Sequence, residues 1–339
     1  MQLLNQAVVA EHLNMQAAID AIEGLLRLQE KNPNWIKSPD RLVIDTFSED
    51  DNNSQGSHLS MPATIYDGEQ EYTAVKLVTI CPDNPSRDLP TTTAIITVSK
   101  NDTGEILAIM DGIYTTQVRT AALSGIATKY MAKSECESVA VVGCGGMAYE
   151  QLHAVLTVRP EIKTVYLWNR SHAGAETFKE RFAQNYSQWN VDIKVCEAID
   201  DAICDADVIN VATRANEGLF SVDKVKSDAH INAVGAYQPS MKEISDDVIE
   251  SSSIVVIDDL AGGRHEAGDL IQAHDNSDCS WTWDDISGDL QALVTQKIKK
   301  SSDGITLFKS VGAARFDAAV ALYVAQQAAQ KSLGTSVDW

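Results

Sequence analysis

Ser138-Val139-Ala140-Val141-Val142-Gly143-Cys144-Gly145-Gly146-Met147-Ala148 is the stretch that decides the fold. Small and apolar residues make a buried strand. The glycines that follow have the G-x-G-x-x-G/A form, set between that strand and a helix. Gly143 permits the tight turn, Gly145 lets the backbone approach a diphosphate with no Cβ in the way, and small Ala148 lets the helix pack close to the sheet. A diphosphate held there sits on the helix N-terminus, which opens at Gly146-Met147.

Downstream, short apolar runs alternate with amphipathic segments, the pattern of a parallel sheet covered on both faces. Strands are expected at 138–143, 164–169, 193–196, 207–212, 230–235 and 253–258, with helices near 147–158, 173–187, 198–204 and 243–250. The connections are short enough for right-handed crossovers, so the region reads as a doubly wound, Rossmann-type domain. Ile305 to Ser310 is a further extended run, and Ala314 to Ser332 an Ala-rich helix without internal Gly or Pro.

The second strand ends in Trp168-Asn169-Arg170-Ser171, where an NAD-specific site usually presents an acid to the ribose 2′-hydroxyl. That acid is missing. Asn169, Arg170 and Ser171 offer donors and a positive charge that suit a 2′-phosphate, so NADP(H) is the preferred cofactor and NAD(H) the second choice. An ordinary solvated loop is the plain alternative for Arg170.

Upstream, the chain reads as α+β. Residues 15–30 place Ala18, Ile19, Ile22, Leu25 and Leu26 on one helical face. Strand-like runs follow at 41–44, 73–80, 93–98 and 106–110, the last two joined through the turn residues Asn101-Asp102-Thr103-Gly104. Lys76 shares a strand face with Ala74, Val78 and Ile80. An unpaired ammonium buried there costs several kcal/mol, so Lys76 either meets an anion or loses its proton. Substrate carboxylate binding and proton transfer both explain it, and an edge strand with a lysine snorkelling to water is the alternative. Arg119, in the small-residue helix Thr115 to Ser124, carries a fork suited to a carboxylate or a diphosphate. Arg41, after Ser38-Pro39-Asp40, is either a second carboxylate contact or a surface arginine.

At 339 residues two domains sharing a cleft are the default, and 44% hydrophobic residues suffice for their cores. A net charge of -21 argues against a nucleic-acid partner, because phosphate binding needs clustered Lys and Arg. The acidic run Ser48-Glu49-Asp50-Asp51-Asn52-Asn53 reads as an exposed loop and not an ion site. Six cysteines without C-x-x-C or zinc-ligand spacing indicate reduced thiols, no metal and a cytoplasmic protein. No basic leader or membrane-length apolar segment is present, so no membrane partner is expected.

Taken in order, several motifs resemble those of the ornithine cyclodeaminase/mu-crystallin family, across nearly the whole chain. They are Met61-Pro62-Ala63, the Lys76 strand, Met110-Asp111-Gly112, Arg119 to Ser124, the glycine turn, Trp168-Asn169-Arg170, His230 to Ala236, Glu266-Ala267-Gly268-Asp269 and Phe308-Lys309-Ser310-Val311-Gly312. The resemblance implies a Rossmann domain (119–310) inserted into a discontinuous substrate-binding and dimerisation domain (1–118 plus 311–339), and a homodimer. It implies that Arg41, Lys76 and Arg119 line the substrate site, with Lys76 as proton donor or acceptor. The cofactor contacts it implies are Thr91, Thr92, Arg119, Gly143, Gly145, Gly146, Met147, Asn169, Arg170, Ser171, Thr213 and Ser310.

One departure bears on the reaction. Cyclodeaminases of the family carry an aspartate where this chain has Tyr237, after Gly235-Ala236. Free tyrosine has a pKa of about 10 and aspartate about 4, so a phenol does not replace that base. Imine reduction needs a hydride and a proton donor instead. The resemblance with this departure implies NAD(P)H-dependent reduction of a small cyclic imino acid to L-proline or L-pipecolate, with Tyr237 orienting the imine, supplying a proton or packing at the pocket rim. The alternatives are an alanine-type amino-acid dehydrogenase, an ornithine cyclodeaminase, and an NADPH-gated binding protein without turnover.

Overall fold

The computed structural model describes residues 1–46, 56–298 and 303–338; the acidic run at 48–53 lies outside them. The chain divides into two compact units, Met1–Arg119 with Ala313–Trp339, and Thr120–Gly312.

The first unit is built on an eight-stranded sheet. Its strands are β1 (Gln2–Leu4), β2 (Ile36–Lys37), β3 (Leu42–Asp45), β4 (Ser57–Tyr66), β5 (Glu71–Ile80), β6 (Thr92–Lys100) and β7 (Ile106–Asp111), with the short Thr335–Ser336 beside β1. β4 to β7 form an antiparallel meander. β4 is not evident from periodicity, because Pro62 interrupts it. The proline is tolerated because β3 pairs with Ser57–Ser60 and β2 with Thr64–Ile65, leaving Pro62 in the gap where that side of β4 needs no ladder donor.

Helix Met15–Lys31 begins where the Asn14 side chain accepts from the Ala17 N–H at 2.8 Å, and it buries Ala18, Ile19, Ile22, Leu25 and Leu26 on one face. That helix packs on the Ala-rich helix Ala314–Lys331, which lies against β4, β5 and β6. The last segment of the chain thereby reaches the middle of the first unit's sheet.

The second unit holds eight parallel strands: β8 (Ser138–Val142), β9 (Thr164–Trp168), β10 (Asp192–Val195), β11 (Val208–Val211), β12 (His230–Ala233), β13 (Ser252–Ile257), β14 (Gly288–Asp289) and β15 (Ile305–Lys309). Their order is β10-β9-β8-β11-β12-β15-β13-β14. The order reverses between β8 and β11, the switch point at which open α/β sheets bind ligands. β15, the extended run after the alternating region, inserts between β12 and β13 and pairs parallel with both. Ala140 and Val142 enter one apolar cluster, Val139 and Val141 another, so both faces of the sheet are covered. The helix expected at 243–250 starts later, at Asp246, because the N–H groups of Glu243 and Ile244 are held by Asp269.

Candidate active site

In the first unit, Lys76 sits on β5 with β4 and β6 paired on either side, so it is not an edge-strand lysine. It is 3% exposed. Its Nζ lies 2.8 Å from both carboxylate oxygens of Asp317, which comes from the first turn of helix Ala314–Lys331. Arg119 Nε donates to Asp317 Oδ1 at 2.9 Å from helix Gly112–Met131, and Thr116, one turn earlier on the same helix, donates to Asp317 Oδ1 at 3.4 Å. One carboxylate thus fixes two cations.

Burial lowers the Lys76 pKa from the ordinary 10.5 to about 8; Asp317 works against the fall, and the Arg119 and Arg41 charges add to it. Burial alone pushes the Asp317 carboxyl up, but the Arg119 and Lys76 charges reverse this and hold it below the usual carboxylate range. With Lys76 protonated, two cations face one carboxylate, leaving a surplus positive charge inside the protein. The surplus has an outlet, since Arg119 Nη1 is buried and has no hydrogen-bond partner among the described residues. A buried donor without a partner costs about 1–3 kcal/mol, and this one is free to donate to an anion. Arg41 precedes β3 and is close enough for its charge to act on Lys76.

Asp317 was not singled out in the sequence. An acid in the first turn of a helix reads as a partner for the helix dipole. The available signal is its setting, Ala314-Arg315-Phe316-Asp317-Ala318-Ala319-Val320, where a lone carboxylate sits among small and apolar residues.

Thr91 and Thr92 stand apart from this cluster. Thr92 pairs with Ile80, four residues along β5 from Lys76 and so about 13 Å away, while the Thr91 carbonyl accepts from Cys81 N–H at 2.7 Å.

In the second unit, the turn after β8 has the features a diphosphate requires. Gly143 adopts φ +91°, and a Cβ there meets Ala212 O at 2.7 Å, so only glycine serves. A Cβ on Gly145 meets nothing within 4 Å, which leaves open space against that backbone. Helix Ala148–Val158 starts at Met147 with no side-chain cap. Its one first-turn acid, Glu150, instead hydrogen-bonds the Tyr186 hydroxyl and faces His153. An uncapped helix start beside an open glycine fits a dinucleotide diphosphate.

Asn169 ties this turn to the end of β9, accepting from Cys144 N–H at 3.2 Å and donating to Ser171 O at 3.0 Å. Ser171 caps helix His172–Asn185 by accepting from Gly174 N–H at 3.3 Å. Arg170 is exposed. Thr213 follows β11, and its hydroxyl accepts from Ala215 N–H at 3.2 Å. Ser310, after β15, donates its hydroxyl to buried Asp258 at 2.7 Å, and that carboxylate also accepts the Val311 and Gly312 N–H groups. Tyr237 is 39% exposed, in the loop after β12.

The model of the ornithine cyclodeaminase/mu-crystallin family matches residues 1–332. The chain belongs to this family. Among curated relatives it is similar to a Δ1-pyrroline-2-carboxylate reductase of Bacillus cereus, 33% identical over 85% of this chain and 86% of the relative. Among solved structures it is similar to Thermococcus litoralis Δ1-pyrroline-2-carboxylate reductase in complex with NADH and L-proline, with a TM-score of 0.89, 30% identity and coverage of 99% of this chain and 100% of that one. An archaeal alanine dehydrogenase dimer with bound NAD follows, at a TM-score of 0.87, 28% identity and coverage of 100% and 99%. NAD(H) is the cofactor bound in both of these similar structures. No helix among the described residues is long and apolar enough to cross a membrane.

Proposed function

We propose that this family member reduces a small cyclic imino acid, Δ1-pyrroline-2-carboxylate or Δ1-piperideine-2-carboxylate, to L-proline or L-pipecolate. The observation that carries the reading is the buried Lys76–Asp317–Arg119 cluster, with its surplus positive charge and the unpartnered Arg119 Nη1. That donor and Arg41 hold the substrate carboxylate. Bound NAD(P)H supplies a hydride to the imine carbon. Lys76 Nζ gives its proton to the imine nitrogen and is left neutral beside Asp317, and its low exposure keeps water from competing. Tyr237, in the position where the cyclodeaminases carry an acid, orients the ring. The relatives named as pyrroline-2-carboxylate reductases, one of them solved with NADH and L-proline, support the same reaction.

The test is loss of NAD(P)H absorbance at 340 nm with each cyclic imine, run beside pyruvate plus ammonia and beside ornithine. Turnover confined to the cyclic imines supports the reading. Turnover only with pyruvate and ammonia moves the chain to the dehydrogenases, and ammonia release from ornithine moves it to the cyclodeaminases. Tight NADPH binding without turnover leaves a binding protein.

For the cofactor, the reading is that either dinucleotide binds and NADPH binds better. Asn169 and Ser171 already hold the loop, so the preference rests on Arg170. Arg170→Ala is expected to raise the KM for NADPH about tenfold or more and leave that for NADH within about twofold, as loss of a charge-assisted contact implies. Equal effects on both remove Arg170 from the 2′-phosphate.

The assembly proposed is a homodimer in the cytoplasm, in keeping with six free thiols and with the dimeric archaeal relative. Leu42, Val43 and Ile44 on β3 are 59%, 49% and 56% exposed, and Ile95 on β6 is 41% exposed. A run of three apolar residues open to water along one strand suits burial against a second copy. Val43→Asp with Ile44→Asp is expected to give monomers by light scattering where the parent chain gives dimers; a dimer that survives the pair places the interface elsewhere.

A further inference from the structure

Three charged residues outside the lysine cluster are buried together in the second unit. Glu243, Asp269 and Lys309 are each at most 1% exposed. Glu243 accepts three backbone N–H groups: Thr213 on one oxygen, and Gly235 at 2.6 Å and Ala236 at 3.0 Å on the other. Thr213 begins the loop after β11, and Gly235-Ala236 lead to Tyr237 after β12. One carboxylate therefore fastens two loops at the C-terminal end of the sheet. Asp269 holds Glu243 in turn, accepting the N–H groups of Glu243 and Ile244 on one oxygen and the Lys309 ammonium on the other. A glycine makes room for the Glu243 carboxylate: a Cβ on Gly235 falls 2.1 Å from Thr213 O and 2.3 Å from Glu243 Oε1.

In a doubly wound sheet the first mononucleotide half carries the adenosine side of a dinucleotide, and the far half, beyond the switch point, carries the other end. β11 and β12 belong to that far half. Among the described residues no hydrogen bond joins Glu243 to the glycine turn or to helix Ala148–Val158, the two features that suit the diphosphate. We propose that Glu243, anchored by Asp269 and Lys309, is a positioning residue that sets the nicotinamide end of the cofactor site by fixing the Thr213 and Gly235–Tyr237 loops against each other. This rests on the nicotinamide-dinucleotide reading above. Glu243 does not touch the reacting atoms. Its burial pushes its pKa up, opposed by the Lys309 charge and the Thr213 N–H it accepts and reinforced by the Asp269 charge.

The experiment separates the two halves of the cofactor. Dissociation constants are measured by calorimetry on Glu243→Gln for whichever of NADH and NADPH the parent chain binds more tightly, and for the matching fragment without nicotinamide, ADP-ribose or its 2′-phosphate. The amide keeps the shape, but its NH2 faces backbone donors and one acceptor is lost. The proposal predicts that the fragment binds within about twofold of the parent and the full dinucleotide at least about tenfold more weakly. Glu243→Asp keeps the charge, shortens the reach and is expected to show the same split, so it carries the test should the amide variant not fold. Equal loss of both ligands, or of neither, overturns the positioning role. A parent chain that binds neither ligand overturns the dinucleotide reading and the proposal with it.

Discussion

Lys76→Ala is expected to lower kcat for reduction of the cyclic imine by about two to four orders of magnitude, the range of a removed general acid. The loss should fall on kcat more than on KM, because Arg119 and Arg41, the proposed holders of the carboxylate, remain. The pH profile of the parent chain reports the same group. With Lys76 as the proposed acid in reduction and its pKa lowered to about 8, kcat/KM for reduction should be level below that pH and fall about tenfold per unit above it. Oxidation of the amine needs the neutral lysine and should rise over the same interval. A reduction profile flat from pH 6 to 10, or a Lys76→Ala variant with near-parental turnover, removes the lysine from proton transfer.

Asp317→Asn carries the second large effect, on stability and activity together. Lys76 and Asp317 are 3% and 1% exposed, so the substitution leaves two buried cations without their anion. Breaking a buried pair by removing one partner costs about 3–5 kcal/mol, a large share of the total for a domain. The lysine responds by giving up its proton more readily, since the charge that opposes its desolvation is gone. The limb of the reduction profile should therefore move from about 8 to a lower pH, with a matching loss of turnover at neutral pH. Chemical denaturation measures the first effect and the pH profile the second. A variant with parental stability, or with an unmoved limb, contradicts the role given to Asp317.

The two halves of the molecule were not equally legible. Most of the parallel sheet of the second unit could be read because strands such as β8, β11 and β13 are short apolar runs, and the turn at Gly143 states its geometry in its residue types, whereas β14, only Gly288–Asp289, has no apolar run to give it away. Long-range order was not legible: nothing local places β15 between β12 and β13, because pairing partners far apart in sequence leave no periodicity. β4 was hidden by Pro62, which is allowed only because β2 and β3 leave a gap beside it. Lys76 stood out as a cation on an apolar strand face, and Arg119 as a cation in a helix of small residues. Asp317 did not, since acids are welcome in first turns whether buried or not. Asp269 and Lys309 lay within motifs that could be quoted but not paired, because their contact joins residues far apart in the chain and exists only once the sheet has formed.

In the proposed reaction hydride goes to the carboxylate-bearing carbon of a cyclic imine and the proton comes from Lys76. The route of the hydride is followed by reducing Δ1-pyrroline-2-carboxylate with cofactor carrying deuterium in the transferred C4 position and analysing the product by mass spectrometry and NMR. L-Proline with one deuterium, on the α-carbon, is expected. Unlabelled proline, or cofactor consumption only when the imine is replaced by pyruvate and ammonia, would contradict it.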